Sequence, residues 1–414
     1  MTAIDRFNQH LSYVQLNSPY YRRVLLELGL AEFQLSNISD IKKLPLTSKD
    51  DLAAEPDSFL SAPMSAVRDI ATTSGTLGDP VTVNVTESDL DRLAINEAGS
   101  FMIAGCDASD TFQLLTTIDK RFMAGLAYFL GARELGARMI RSGPGALELQ
   151  WDSILRYKPT VLIAVPSFVP RLIAHAKTNG IDVNQTSVKK IIGIGEPLRN
   201  DDLTPNYLAK AITAKWSVQL FSTYASTEMA TAFTECEHGS GSHIQSDLVH
   251  LEVLNDNDEH VENGELGEVV VTPLGVEGLA LLRYRTGDIC RVYNYPCKCG
   301  RSGPRLGPII GRKQQMLKLK GTTLYPNAVI DFLTKSMKVG PFILEASSNE
   351  LGLDELTVIA DLREGLDMEQ LSNELAEKLR VRPRIKIETA NEINKKKFNE
   401  NSRKPKIFFD LRHN

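Results

Sequence analysis

No apolar run in these 414 residues reaches the ~20 positions needed to cross a bilayer, which argues against a membrane-spanning helix. An excess of charge of one sign is also lacking. The 47 Lys and Arg against 52 Asp and Glu leave a net charge of −5, so there is no broad basic footprint for nucleic acid or an anionic membrane. The opening MTAIDRFNQHLSY is amphipathic and polar, without the apolar stretch of a signal peptide, and the chain reads as cytoplasmic. Cysteine is sparse. The five are odd in number and scattered apart from Cys297 and Cys299, which excludes a disulfide framework and leaves Cys106 and Cys290 as half-buried thiols. The one Gly- and hydroxyl-rich loop is followed by no Gly-Lys-Ser/Thr, so it is not a Walker site.

What is present is an ordinary globular composition, 42% hydrophobic and 24% charged, on a chain long enough for two or three units. Residues 5–30 repeat apolar positions at helical spacing around a Ser18-Pro19 break. At 44–52 a loop leads to a Thr or Ser N-cap with an acidic first turn. Residues 87–105 read as a helix and 111–117 as a strand. The short apolar runs at 158–167 and 189–198, and the strand at 217–222, alternate with helical patterns, which predicts a parallel sheet buried on both faces. Residues 248–295 alternate apolar and polar positions and predict a β-rich subdomain. The last hundred residues mix helix and strand as a small α+β unit, ending in a basic tail that reads as a solvated face.

Three stretches carry chemistry. Thr73, Ser74, Gly75, Thr76 and Gly78 could converge backbone N–H groups and hydroxyls on a phosphate, although by residues alone the stretch reads as a hairpin turn. Thr227 and Glu228, after a buried strand, set a hydroxyl beside a carboxylate, which suits a phosphate oxygen and a hard cation; the plain reading is a helix N-cap. Asp288 likewise fits a Gly-Asp turn. Cys236, Cys297 and Cys299 with His243 or His238 supply enough donors for a closed tetrahedral zinc site, in a spacing that is not a zinc finger's and that free thiols would equally explain.

Between 283 and 326 the chain reads Arg283-Tyr284-Arg285-Thr286-Gly287-Asp288, then Cys297-Lys298-Cys299-Gly300, then Gly311-Arg312. This resembles the hinge region of the adenylate-forming acyl/aryl-CoA ligases, in their phenylacetate–CoA ligase branch, and matching motifs recur along nearly the whole chain. The resemblance implies an α/β adenylation domain over 1–313, with a parallel sheet and a β-rich subdomain, and a mobile α+β lid over 314–414. It implies that a carboxylic acid, of aromatic type, reacts with ATP to give acyl-AMP and then with coenzyme A, releasing AMP and pyrophosphate. The acceptor could instead be a carrier protein or an amine, or the chain could bind nucleotide without ligase activity.

By the same resemblance, the 73–78 loop holds the β- and γ-phosphates. Gly195-Glu196-Pro197 packs on adenine and the acyl group. Tyr224-Ala225-Ser226-Thr227-Glu228 brings Thr227 to the α-phosphate and Glu228 to Mg²⁺. Asp288 takes the ribose hydroxyls, and Arg312 reaches ribose or phosphate. Phe122, Tyr128 and Phe129 line the acyl pocket, against the plainer reading of a core helix. Lys404 is the lysine that swings in during adenylation. Cys236, His243, Cys297 and Cys299 hold a structural Zn²⁺, with His238 as the rival imidazole. The partners implied are small molecules, with a homodimer left open and neither nucleic acid nor membrane. The chain departs from the family at several positions. Leu77 and Asp79 stand where Thr and Lys are usual, Ala225 where Gly is, Gln314-Gln315 where hinge carboxylates are, and Arg403 and Ile407 where Gly and Arg are.

Overall fold

Hydroxyl caps set the first turns of the N-terminal helices. In the computed structural model, which describes residues 1–73, 81–319, 322–336, 338–349, 353–363, 366–379, 381–398 and 405–412, Thr2 and Asp5 form a capping box on α1 (Ala3–Asn17). Ser18 caps α2 (Pro19–Glu27), whose Pro19 occupies the first turn, where its missing N–H costs nothing. Ser48 and Asp51 cap α3 (Lys49–Ala54) as the sequence predicts. The hairpin β1 (Val67–Thr72) and β2 (Thr82–Thr86) leads into α4 (Glu87–Ile103), boxed by Thr86 and Asp89. Asp89 also accepts the N–H groups of Glu277 and Gly278, tying the start of α4 to a distant loop.

The parallel section then unfolds in order: β3 (Thr111–Leu114), α5 (Met123–Glu134), β4 (Arg138–Arg141), α6 (Leu147–Tyr157), β5 (Val161–Ala164), α7 (Val169–Thr178), β6 (Lys190–Ile194), α8 (Tyr207–Thr213) and β7 (Gln219–Ser226). Spatially the parallel strands run β7-β6-β5-β3-β4. Successive side chains of a strand face opposite ways, and both faces here are covered. Leu162, Ala164 and Ile191 pack with Trp151, Leu172 and Trp216. Val161, Ile163 and Ile192 pack with Phe101, Phe112 and Tyr128 on the other side. That two-sided burial is why the runs are apolar throughout instead of alternating.

Beyond β7 the sheet turns antiparallel through β8 (Thr231–Glu235) and β9 (Ser242–His243). It continues with β10 (Val249–Leu254), β11 (Leu266–Pro273), β12 (Tyr284–Tyr293), β13 (Arg305–Leu306) and β14 (Gly311–Arg312). The expected β-rich region is thus present, and it joins the parallel strands in one hydrogen-bonded path, β12-β13-β9-β8-β7. Cys106 and Cys290 are fully buried rather than half-buried.

The chain forms two compact units, one of Met1–Thr286 with Cys290–Ile309, the other of Gly287–Ile289 with Ile310–Asn414. The second unit holds the hairpin β15 (Leu317–Leu319) and β16 (Thr322–Leu324), then α9 (Pro326–Lys335), β17 (Val339–Ser348), β18 (Asp354–Leu362), α10 (Met368–Leu379), β19 (Arg384–Ile387), α11 (Ala390–Lys397) and β20 (Phe408–Asp410). Its sheet order is β19-β18-β17-β20. One face packs Leu344, Val358, Leu371 and Leu375; the other packs Ile343, Ile359 and Ile393. The basic tail keeps a solvated face, with Lys395 and Lys396 exposed, and it is also structured. Residues 390–397 form α11, capped by Thr389 and Glu392, with Ile393 buried. β20 adds a parallel strand beside β17.

Candidate active site and metal centre

In an open parallel sheet, ligands gather beyond the carboxyl ends of the strands. At the end of β6 the chain passes through Gly195 at φ +74°, a left-handed conformation that favours glycine, into Glu196 and Pro197. The Glu196 carboxylate accepts from the Ser167 N–H and hydroxyl, each at 2.8 Å, so it braces the turn that follows β5.

Next to it, β7 does not stop where the sequence suggests. Tyr224, Ala225 and Ser226 remain in the strand, paired with Phe233, Ala232 and Thr231 of β8. A tight turn follows over 227–230, not the helix of the N-cap reading. The Ser226 hydroxyl accepts the Met229 N–H at 3.3 Å within that turn. Thr227 and Glu228 therefore sit half-exposed at the tip of a β-hairpin, and the Tyr224 ring stacks on Phe233. Tyr284 donates its hydroxyl to Glu228 Oε1 at 3.5 Å, orienting the carboxylate. A hydroxyl and an oriented carboxylate side by side on a rigid hairpin suit a phosphate oxygen and an oxygen-loving cation such as Mg²⁺.

Thr73 lies at the near end of the phosphate-loop stretch. Its hydroxyl accepts the Val81 N–H and its own N–H reaches Val81 O, both at 3.0 Å, so the loop's two ends are pinned together. Ser74, Gly75, Thr76 and Gly78 lie outside the described residues, as do Asp79 and Lys404. In the second unit Asp288 is buried, in register with Arg312 across β12 and β14, and accepts from Arg312 Nε at 3.1 Å. It is part of a strand, not of the Gly-Asp turn.

The pocket trio is divided. Tyr128 packs in the core beside Phe101 and Phe112. Phe122 precedes α5 half-buried, and Phe129 carries the Arg141 guanidinium 5.2 Å above its ring. Sequence reading overlooked Glu97, which faces Tyr128 from α4. It is 5% exposed, with Oε1 held by the Asn96 amide and Oε2 without a partner. Burial pushes its carboxyl up to about 8. The signal was available in Leu93, Glu97 and Phe101, a carboxylate at helical spacing on an apolar face.

The sulfur and imidazole donors do converge. Cys236 follows β8, His243 ends β9, and Cys297 and Cys299 lie in the loop between β12 and β13. All four donor atoms fall within 4.8 Å of one another. Cys236 Sγ is 3.6 Å from Cys297 Sγ, and Cys299 Sγ is 3.5 Å from His243 Nε2. Four ligands on tetrahedral zinc stand roughly 3.5–3.8 Å apart, so this set fits the ion and fills its shell. Burial, and then the Arg305 and Arg301 charges, push His243 down to about 4, which keeps the imidazole neutral as a metal ligand requires. Burial opposes ionisation of Cys297, but the Ser240 hydroxyl and the Cys299 N–H outweigh it and favour the thiolate. His238 sits outside the cluster, partly exposed against Glu237.

Residues 33–276 match the AMP-binding enzyme family. The phenylacetate–coenzyme A ligase of Thermus thermophilus is 30% identical over 383 residues, spanning 90% of this chain and 84% of that protein. The enzyme of the same name from Aromatoleum evansii is 28% identical over 364 residues, 87% of this chain and 80% of that one. Among solved structures, a 2-hydroxyisobutyryl-CoA ligase bound to its acyl adenylate superposes with a TM-score of 0.83 at 22% identity, over 99% of this chain and 89% of that chain. The chain belongs to the AMP-binding enzyme family, in its phenylacetate–coenzyme A ligase-like branch. No helix among the described residues is long and apolar enough to cross a membrane.

Proposed function

We infer that this protein is an AMP-forming acid–thiol ligase. A carboxylate attacks the α-phosphorus of ATP, giving acyl-AMP and pyrophosphate; the thiol of coenzyme A then attacks the acyl carbon and AMP leaves. The observation that carries the reading is the tip of the β7–β8 hairpin, where Thr227 and an oriented Glu228 stand beyond the carboxyl end of the parallel sheet, on the strand that neighbours the one ending in the Gly195-Glu196-Pro197 turn.

In this reading Thr227 donates to an α-phosphate oxygen, and Glu228 holds the Mg²⁺ that offsets phosphate charge. Lys404 meets the charge that develops between carboxylate and α-phosphorus. Asp288, kept in place by Arg312, accepts the ribose hydroxyls. Residues 73–78 cradle the outer phosphates, and Phe122 and Phe129 border a pocket for a planar aromatic acid. Tyr128 contributes from the core behind them. Residues 314–414 serve as a lid that turns about the Gly311-Arg312 joint between the two half-reactions, on a body of 1–313. The compact unit that begins at Ile310 supports that division. A structural Zn²⁺ at Cys236, His243, Cys297 and Cys299 ties the loop after β8 to the loop after β12, and the reduced thiols suit the cytoplasm.

The test is acid-dependent ATP–pyrophosphate exchange over aryl and short-chain acids, followed by coenzyme A-dependent release of AMP. Exchange with an aryl acid, followed by AMP release that rises with coenzyme A, is the expected result. Exchange without that rise would move the acceptor to a carrier protein or an amine. Tight ATP binding with no exchange on any acid would overturn the ligase reading.

A further inference from the structure

Arg92 lies on α4 and is buried, although arginine is ordinarily found in water. Its Nε donates to the Leu274 carbonyl at 2.6 Å and Nη1 to the Ala230 carbonyl at 2.5 Å. Nη2 donates to the Thr231 hydroxyl at 3.1 Å and also to the Leu248 carbonyl. All four acceptors are neutral. Burial pushes the guanidinium down to about 10, and the Asp89 charge three residues earlier opposes that, so it stays charged at neutral pH. A charge is thus committed to the interior to hold three segments together: the turn after β7, the residue before β10 and the residue after β11. A lysine, with a single nitrogen, has no fork that reaches all three.

The turn it holds is the one that carries Thr227 and Glu228. The Ala230 N–H donates to the Thr227 carbonyl at 3.3 Å and closes that turn. Ala230 itself stands at φ +46°, a left-handed conformation that is unfavourable for a residue with a Cβ. The Arg92 guanidinium takes the carbonyl on the other side of this strained residue. One helical turn further along α4, Asn96 Oδ1 accepts the Ala232 N–H at 3.4 Å. The helix therefore grips the chain at Ala230, Thr231 and Ala232 in succession as it leaves the turn, and all of these residues lie within the first compact unit. We propose that Arg92 is a positioning residue for adenylation: by fixing Ala230 it holds the 227–230 turn in the shape that sets the Thr227 hydroxyl beside the Glu228 carboxylate. The proposal rests on the ligase reading above, in which Glu228 holds Mg²⁺. Tyr284 orients the end of that carboxylate, whereas Arg92 sets the backbone from which it grows.

The experiment follows ATP–pyrophosphate exchange as Mg²⁺ is varied, using an acid that wild type activates. Arg92→Lys keeps the charge and the stem but loses the fork. It should raise the Mg²⁺ needed for half-maximal rate by roughly 10-fold, the size of effect expected of a group that supports a metal-binding side chain from behind. Thr231→Val keeps the shape and removes one acceptor of the fork. It should move the same constant in the same direction by less, and it decides the matter if Arg92→Lys does not fold. In a Glu228→Gln background Arg92→Lys should add little to the Mg²⁺ requirement, since both changes act on one cation site. A lower melting temperature with an unchanged Mg²⁺ requirement, or a full additional shift in the Glu228→Gln background, would overturn the proposal while leaving the ligase reading standing. A wild-type protein that exchanges pyrophosphate with no acid would overturn that reading, and this inference with it.

Discussion

Arg305 stands opposite His243 in the β13–β9 pairing, and its guanidinium donates to the carbonyls of Ser240 and Tyr295, at 2.8 and 2.9 Å. One buried cation thus fixes both loops that bring thiols to the metal set, the first running from Cys236 to His243 and the second leading to Cys297. Partners of this kind, behind the ligands, change metal affinity by roughly 10- to 100-fold. Purified protein is expected to carry zinc in proportion to chain, measurable by elemental analysis. Cys236→Ser and His243→Ala should lose it, Arg305→Ala should bind it more weakly, and His238→Ala should keep it. Full zinc retention in His243→Ala would sink the assignment. An ion held by these four residues would tie two loops of the folded state, so chelation should lower the melting temperature of wild type but not of Cys236→Ser.

Glu228 sits on a hairpin tip with the Tyr284 hydroxyl beside it. Glu228→Gln keeps size and an acceptor oxygen but removes the charge that a divalent cation needs. Pyrophosphate exchange should fall on the order of 10²-fold, with part of the loss recovered at high Mg²⁺. Tyr284→Phe should only raise the Mg²⁺ needed for half-maximal rate. An unchanged Mg²⁺ requirement in Glu228→Gln would remove this residue from the cation site.

How far the sequence could be read depended on whether a feature was local. Residues 161–164 and 191–194 are apolar runs buried on both faces, so pattern and burial agree and the parallel section was legible. Extension of β7 through Ser226 was not, because its partner strand lies across a turn and pairing, not propensity, keeps Tyr224 and Ala225 extended. α11 is polar apart from Ile393, and one buried side chain makes no visible stripe. The thiol cluster could be counted from sequence, but the choice of His243 over His238 depends on β9 turning one imidazole inward. Glu97 looks like an ordinary surface charge until burial shows what it touches.

His10 links α1 to the loop that precedes β12. It is buried, with Nε2 at 3.1 Å from Leu281 O and Nδ1 accepting the Gly275 N–H at 3.3 Å, a pattern that only the neutral ring with its proton on Nε2 satisfies. Burial pushes it from 6.5 to about 4. The unfolded chain therefore takes up a proton first, and stability is lost as pH falls from about 6.5 toward 4, by about 3 kcal/mol at the lower end. The checking measurement is the denaturant midpoint against pH for wild type and His10→Asn. The variant should begin less stable and show a shallower fall over that window. Parallel curves would mean that His10 is already charged in the fold.

Glu97 gives the opposite sign. Its carboxyl is fully buried, one oxygen has no partner, and its folded value stands near 8 against 4.5 for the exposed group. Between those values the folded protein keeps a proton that the unfolded chain has released, so stability falls as pH rises through that window. Glu97→Gln has nearly the same shape and nothing to ionise. It should match wild type near pH 4 and exceed it at pH 8, by up to about 4–5 kcal/mol. The tight approach of α5, where a Cβ at Gly131 would stand 2.3 Å from Glu97 Cβ, leaves little room for the carboxyl to escape to water. Chemical denaturation of both proteins across this range is the measurement. A constant difference at every pH would show that Glu97 ionises within the fold at its ordinary value, with the charge met by a rearrangement of Asn96 and Gln245, whose amides already meet at 3.1 Å.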